Sequence, residues 1–183
     1  NESSSILMNT AQGKSMHFKG TDVRRMGRKT RGVKGIKLLN SDTIASMVEI
    51  DPEIGDQRLL TITENGYGKR SPLSEYRQQN RGGSGIIDIR TGERNGAIVG
   101  SLIVEDTDKI MLISESGQII KVPVLNIRDQ SRNTKGVTVM RVPEGDRIVS
   151  IAKVLEDDEE ESSVEETTVD TTLSEDQNPE EAE

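Results

Sequence analysis

One pattern occurs three times along this chain of 183 residues. Each copy is a glycine, ten residues, an arginine, three residues, a second arginine, three residues, a second glycine, and then Val or Ile. The copies begin at Gly13, Gly66 and Gly117, which are 53 and 51 residues apart. A period near 50 is typical of propellers and arrays, in which one repeat cannot bury its apolar face alone. The chain is therefore expected to fold as repeated units packed side by side.

Four short segments in each repeat have the β-branched composition of strands, and long helical periodicity is absent. The segments are 6–8, 14–18, 35–38 and 43–50; 59–63, 68–72, 86–90 and 97–104; and 110–113, 118–123, 137–141 and 147–155. A glycine follows the first segment of each repeat, as tight hairpin turns require. We predict an all-β, propeller-like fold with four antiparallel strands per blade, the blades covering about 6–55, 56–107 and 108–155.

The net charge of −8 combines two unlike parts. Residues 156–183 hold 14 acidic and no basic side chains, whereas the remaining residues hold 24 basic and 18 acidic side chains. Such an acidic segment without aromatic residues cannot bury enough apolar area to order itself, so we predict a disordered tail over 156–183. The tail either solvates the end of the chain or folds back on the basic body as a mimic of DNA.

The sequence offers few candidates for catalytic or metal-binding residues. There is no cysteine, the single histidine His17 lies on a predicted strand, and Tyr67 and Tyr76 fit turn and packing positions. A lone histidine does not make a metal site. No apolar run is long enough to span a membrane. We therefore expect no catalytic residue, no metal and no cofactor in this segment, and no membrane partner.

The paired arginines point to a repeated anion. If the blades are equivalent, every blade presents its pair at the same rim, and flanking basic residues extend the pairs into a curved stripe that would neutralise phosphates. The candidate DNA-binding residues are Arg24, Arg25, Arg28, Lys29, Arg31, Lys34, Lys37, Lys69, Arg70, Arg77, Arg81, Arg90, Arg128, Arg132, Lys135 and Arg141. The alternative interpretation is that the pairs brace loops by bonding backbone carbonyls.

Aromatic residues make up only 2% of the chain. Readers of single strands stack bases on such side chains, so this composition favours contact with the backbone of duplex DNA and little base readout.

Several stretches resemble the C-terminal domain of the bacterial DNA gyrase A protein: ENGYGKR at 64–70, ERNG at 93–96, RGVKGI at 31–36 and RNTKGV at 132–137. The resemblance implies a β-pinwheel, whose neighbouring blades exchange strands, and it implies that this chain holds the last three blades and the acidic tail. Because three blades cannot close a ring and the chain begins with Asn1, we expect a piece of a longer polypeptide.

The resemblance also implies a function. The domain would wrap duplex DNA for an ATP-dependent type II topoisomerase that introduces negative supercoils in the bacterial cytoplasm, associated with the nucleoid. Its partners would be DNA, the rest of a homodimeric gyrase A protein, and the gyrase B protein in an A2B2 assembly, with ATP and Mg²⁺ used elsewhere in the enzyme. The heptapeptide QNRGGSG at 79–85 resembles the family's QRRGGKG-type box, but it departs at Asn80 and Ser84 and is interpreted as a degenerate copy.

Two further interpretations stay open. One is the C-terminal domain of a topoisomerase IV A-type protein, which the degenerate box favours. The other is a propeller that docks proteins, with the arginine pairs as structural braces. A stand-alone enzyme has the least support, because no nucleophile and base converge.

Overall fold

The computed structural model describes residues 4–155, which contain eleven β-strands and three short 3₁₀ helices. The predicted tail lies outside these residues. The strands are β1 (Ser5–Thr10), β2 (Lys14–Lys19), β3 (Ile44–Ile50), β4 (Arg58–Thr63), β5 (Tyr67–Pro72), β6 (Ile86–Ile87), β7 (Ile98–Val104), β8 (Lys109–Ser114), β9 (Ile119–Pro123), β10 (Val137–Thr138) and β11 (Ile148–Val154). The 3₁₀ helices are Gly20–Asp22, Leu73–Glu75 and Val124–Asn126.

The strands form three antiparallel sheets: sheet 1 in the order β3-β1-β2-β6, sheet 2 in the order β7-β4-β5-β10, and sheet 3 in the order β11-β8-β9. Strand β6 belongs to the second repeat, yet it pairs with β2 of the first, with Ile86 opposite Ser15. In the same way β10 of the third repeat pairs with β5, with Val137 opposite Gly68. The all-β prediction is confirmed, and each four-stranded sheet is built from two repeats.

The third predicted segment of each repeat is where the prediction was wrong. Segments 86–90 and 137–141 form strands only at Ile86–Ile87 and Val137–Thr138, and 35–38 forms no strand. The physical reason is that these segments pair with the sheet of the preceding repeat, and no sheet precedes sheet 1 in the described part of the chain. The backbone N–H of Lys37 bonds instead to Gly83 O of the second repeat, at 2.8 Å.

The turn glycines serve both the hairpin and the packing of the next repeat. Gly13 and Gly66 have φ of 87° and 80°. A Cβ on Gly13 would lie 2.1 Å from Ile89 O, and one on Gly66 would lie 2.0 Å from Met140 O. Gly117 has φ of 88°, but open space lies where its Cβ would be. The first two glycines are therefore required by positive φ and by close approach, and the third by positive φ alone.

Residues 4–155 contain three apolar clusters, two of which join neighbouring sheets. Leu7 and Ile50 of sheet 1 pack with Leu59 of sheet 2 and with Tyr76. A larger cluster joins sheets 2 and 3 and consists of Leu60, Ile62, Val104, Ile110, Leu112, Val124, Ile127, Met140 and Ile148. The third, Met16, Phe18 and Ile36, covers β2 of sheet 1. Because each sheet buries its apolar face against a neighbour, the repeats fold as one packed row.

Candidate nucleic-acid interface

The arginine pairs lie in three equivalent loops that leave the second strand of each hairpin. We name them loop 1 (20–35), loop 2 (73–85) and loop 3 (124–136); each opens with a 3₁₀ helix. The first arginines, Arg24, Arg77 and Arg128, are all exposed to solvent. Their guanidinium groups are accessible to a partner.

The second arginines behave differently. Arg81 donates from Nη1 to Lys34 O at 3.2 Å and from Nε to Asp22 O at 3.0 Å. Arg132 donates from Nη1 to Ile87 O at 2.7 Å. Lys34 and Ile87 each lie 21 residues after the turn glycine of their repeat, so the two bonds are equivalent. The second arginine is thus a brace to the preceding repeat, and the alternative interpretation of the pairs holds for Arg81 and Arg132.

A backbone bond also joins the repeats in register. Lys37 N–H donates to Gly83 O, and Arg90 N–H donates to Thr134 O, both at 2.8 Å. These donors and acceptors occupy equivalent positions in consecutive repeats. The segment after loop 1 is therefore fixed to loop 2, and the segment after loop 2 is fixed to loop 3 in the same way.

Most of the flanking basic residues are exposed. Loop 1 exposes the largest number of them. Its second arginine, Arg28, is also exposed and lacks the brace contact that Arg81 and Arg132 make within residues 4–155. Arg90 is exposed while its Nε donates to Asn133 Oδ1 at 2.8 Å. The exposed flanking residues are Arg25, Arg28, Lys29, Arg31, Lys34, Lys37, Arg90, Lys135 and Arg141.

Lys69 lies inside the fold, although it was a candidate for DNA contact. Its relative exposure is 0%, and its Nζ donates to Ser71 Oγ, Ser131 O and Arg132 O at 2.9, 3.2 and 2.8 Å. Burial lowers its pKa to about 8, although the negative charge of Asp88, 3.6 Å away, acts in the opposite direction. All three protons of the ammonium group are used internally, so this side chain is not available to phosphate.

Arg70 is 5% exposed and is also bound internally. Its Nε donates to Ile127 O at 2.6 Å and lies 3.1 Å from Asp129 Oδ1, and its Nη1 pairs with Asp106. The sequence predicts that Lys69 and Arg70 belong to the basic stripe. However, β5 is an inner strand of sheet 2, and both side chains make contacts between repeats. Neither residue is part of the candidate surface.

His17 occupies the position equivalent to Arg70 and makes the equivalent contact. Its Nδ1–H donates to Tyr76 O at 2.6 Å, and Nε2 accepts from the Ser5 hydroxyl at 2.7 Å. The donor role of Nδ1 follows because a carbonyl can only accept. His17 is thus a satisfied strand residue, and no cluster of three or more metal-binding side chains occurs in residues 4–155.

The sequence pattern missed one basic residue beside the loops. Lys19 lines a hollow of about 500 Å³ together with Arg77, Asp22, Gln79 and other polar residues. It ends β2 and falls outside the repeated arginine pattern, since the second and third repeats have Pro72 and Pro123 there. Only the fold brings it next to a first arginine.

Residues 4–155 contain no apolar helix of the length that a membrane span requires.

Comparison with known proteins agrees with this geometry. The family model "DNA gyrase C-terminal domain, beta-propeller" matches residues 4–51, 57–105 and 108–154. The DNA gyrase A protein of Klebsiella oxytoca is 41% identical over 157 residues, which are 85% of this chain and 18% of that protein. The chain therefore spans about a fifth of the length of this relative.

Two solved structures resemble the fold equally well. A DNA gyrase A C-terminal domain superposes with a TM-score of 0.77 at 26% identity, covering 84% of this chain and 52% of that one. The C-terminal domain of a DNA topoisomerase IV also has a TM-score of 0.77, at 28% identity, covering 84% of this chain and 47% of that one. With a family model that matches all three repeats, this chain belongs to the DNA gyrase A C-terminal β-propeller family.

Proposed function

We propose that this chain binds duplex DNA through its phosphates, without sequence preference, and wraps it. The observation that carries the proposal is the in-register joining of the repeats. Because Lys37 bonds to loop 2 in the same way as Arg90 bonds to loop 3, the repeats and their exposed first arginines recur at a fixed step. A rigid row of guanidinium groups suits a polyanion of regular phosphate spacing.

Wrapping requires that phosphate contacts exceed the cost of bending. Bending a site of 20–30 base pairs costs on the order of 1–6 kcal/mol. The three first arginines and the exposed flanking residues supply enough cations for several phosphate contacts. We infer that the DNA follows the loops from the first repeat to the third.

We further propose that the longer protein is the A protein of a DNA gyrase, an ATP-dependent type II topoisomerase that introduces negative supercoils. In that enzyme the A protein would form a homodimer and join the gyrase B protein in an A2B2 assembly. ATP and Mg²⁺ would act outside this segment, which would present DNA and carry no catalytic residue. The enzyme would work in the bacterial cytoplasm, associated with the nucleoid.

One observation favours a second candidate. Arg81 and Arg132 are braces, as a protein-docking propeller would use them. Such a domain would have low affinity for DNA. A topoisomerase IV A-type domain is the closer alternative, since its fold is equally similar; it would bind DNA with less wrapping.

The test is a salt series with the full chain and duplex DNA. We expect log K to fall linearly with log salt, with a slope of about −0.9 for each phosphate neutralised, and equal affinity for unrelated sequences. Arg147→Gln is the matched control for substitutions of the first arginines, because this exposed arginine lies outside the loops and pairs with Glu115 at 3.0 Å. Ends of a duplex of about 40 base pairs, labelled for energy transfer, should approach on binding. Weak affinity without salt dependence would support the docking candidate instead.

A further inference from the structure

Loop 3 is held to sheet 2 by a row of bonds to its backbone. Lys69 Nζ donates to the carbonyls of Ser131 and Arg132, and Ser71 Oγ donates to Gln130 O at 2.7 Å. Three successive carbonyls of the loop are thereby bound by two side chains of β5. These carbonyls lie between Arg128 and Lys135, the exposed cations of loop 3.

Lys69 is placed for this task by a buried carboxylate. Asp88 is fully buried and lies 3.6 Å from Lys69 Nζ. It accepts hydrogen bonds from Asn9 Nδ2 at 2.8 Å, Thr61 Oγ1 at 2.9 Å and the Tyr76 hydroxyl at 2.5 Å. The bonds fix the carboxylate from sheet 1 and sheet 2 together, so the lysine has one defined position.

Loop 2 provides an internal comparison. The residue equivalent to Lys69 in the first repeat is Met16, three residues after the turn glycine in both cases. The residue equivalent to Ser71 is Phe18. Neither Met16 nor Phe18 can donate to a carbonyl, so loop 2 lacks the pair of donors that binds loop 3. The Lys69 contact is therefore an addition to the common repeat.

We propose that Lys69 is a positioning residue for DNA binding: together with Asp88 it fixes the backbone of loop 3 and so holds Arg128 and Lys135 ready for phosphate, without touching DNA. The proposal rests on the proposed function, since it assigns the anchor of one part of that surface. A fixed loop binds more tightly because its ordering cost is already met before DNA arrives.

The test compares Lys69→Met with wild type in the full chain. Methionine is the residue that the first repeat uses at this position, and it is unbranched like lysine. Residue-level hydrogen exchange without DNA should become faster at the Arg132 amide, which donates to Glu75 Oε2 at 2.8 Å. Exchange in loop 2 should not change. Affinity for duplex DNA should fall about three- to tenfold, as the ordering of one residue or less would give, with the salt slope unchanged.

Three outcomes would overturn the proposal. Unchanged exchange in loop 3 would mean that Lys69 does not hold the loop. Faster exchange with unchanged affinity would mean that the order of the loop does not matter for DNA. A salt slope smaller by about 0.9 would mean that Lys69 itself neutralises a phosphate.

Two controls keep the result interpretable. Met16→Leu alters the equivalent position under loop 2 and should leave exchange in loop 3 unchanged. If Lys69→Met does not fold because Asp88 loses its cation, the double variant Lys69→Met/Asp88→Asn removes both charges and should show the same exchange and affinity changes. If wild type itself binds without salt dependence, the proposed function fails, while the exchange comparison still decides whether Lys69 holds loop 3.

Discussion

Loop 1 and loop 3 contain the same arginine pattern but are held in different ways. In loop 3 the carbonyls of residues 130–132 are bound by sheet 2, and Arg132 bonds to Ile87 O. In loop 1 the stretch 27–32 is exposed, and Thr30 bonds within the loop to Gly27 O. A repeated residue is therefore a brace or a surface cation depending on whether a preceding sheet stands beside it.

The strongest way to break this comparison is to remove the buried carboxylate that anchors the better-held region. Asp88→Ala leaves Lys69 without its anion and leaves donors on Asn9, Thr61 and Tyr76 without their acceptor. We expect a loss of about 3–5 kcal/mol in the free energy of unfolding, measured by urea titration. Glu115→Ala, which breaks an exposed ion pair in the third repeat, is the control and should cost less than about 1 kcal/mol. Similar losses in both variants would contradict the account.

Two turn glycines test the effect of a neighbouring repeat, because the third repeat packs against Gly66 whereas open space lies beside Gly117. Gly66→Ala would force a Cβ against Met140 O and add strain at positive φ, for a total of about 3 kcal/mol. Gly117→Ala meets open space and should show only the conformational cost, about 1–2 kcal/mol. Thermal or urea unfolding of the two variants measures the difference. Equal losses would mean that the close approach of Gly66 to the third repeat carries no energetic weight.

The pH dependence of the unfolding free energy at alkaline pH should report on the burial of Lys69 and Tyr76. Burial lowers the Lys69 pKa to about 8, from 10.5 for an ordinary lysine. Between these values the unfolded chain binds more protons at Lys69 than the folded chain does, so stability rises with pH by up to about 1.4 kcal/mol per pH unit. Burial and Asp88 raise the Tyr76 pKa above its ordinary value of 10.0, so the folded state keeps a proton that the unfolded state loses, and stability falls above that pH.

The two contributions predict a maximum of stability near pH 10, seen in urea titrations between pH 7 and pH 11. Lys69→Met should abolish the rise and keep the fall. A decline that begins at pH 8 in wild type would contradict a Lys69 pKa that burial lowers.

Removal of a single brace bond should lower the free energy of unfolding by less than removal of Asp88. Arg132→Gln removes the bond to Ile87 O and should cost about 1.5–3 kcal/mol in unfolding free energy, because hydrogen bonds from charged groups are worth that much. Arg128→Gln, four residues earlier and exposed, should change stability by less than about 0.5 kcal/mol. Urea titrations of the two variants give the comparison. Equal stability would mean that the second arginine of loop 3 is not a brace.

The sequence predicts the repeat, the hairpins and the position of the arginine pairs, because these depend on local composition and on turn glycines such as Gly66. It does not predict that Ile86–Ile87 joins the sheet of the preceding repeat, since strand composition does not specify the partner strand. The burial of Lys69 was also missed. Its partner Asp88 lies 19 residues away and has Gly35 and Val139 at the equivalent positions, so no repeated signal marked the pair.

For the second arginine of each pair, the sequence alone leaves two roles open, phosphate binding and bracing of a loop. A guanidinium group bonds carbonyls and phosphates equally well, and the choice depends on whether Lys34 O or Ile87 O lies within reach. Such distances arise from the packing of sheets, which the pattern of residues does not contain.

The central claim is that the first arginines face DNA, whereas Arg81 and Arg132, the second arginines of loops 2 and 3, face the neighbouring repeat. The most direct measurement is the salt dependence of duplex DNA binding for two variants of the full chain. The triple variant Arg24→Gln/Arg77→Gln/Arg128→Gln should reduce the magnitude of the slope by about 2.7, or 0.9 for each phosphate that is no longer neutralised, at unchanged stability. The double variant Arg81→Gln/Arg132→Gln should keep the slope and lose stability. A slope that falls with the second arginines and not with the first would contradict the account.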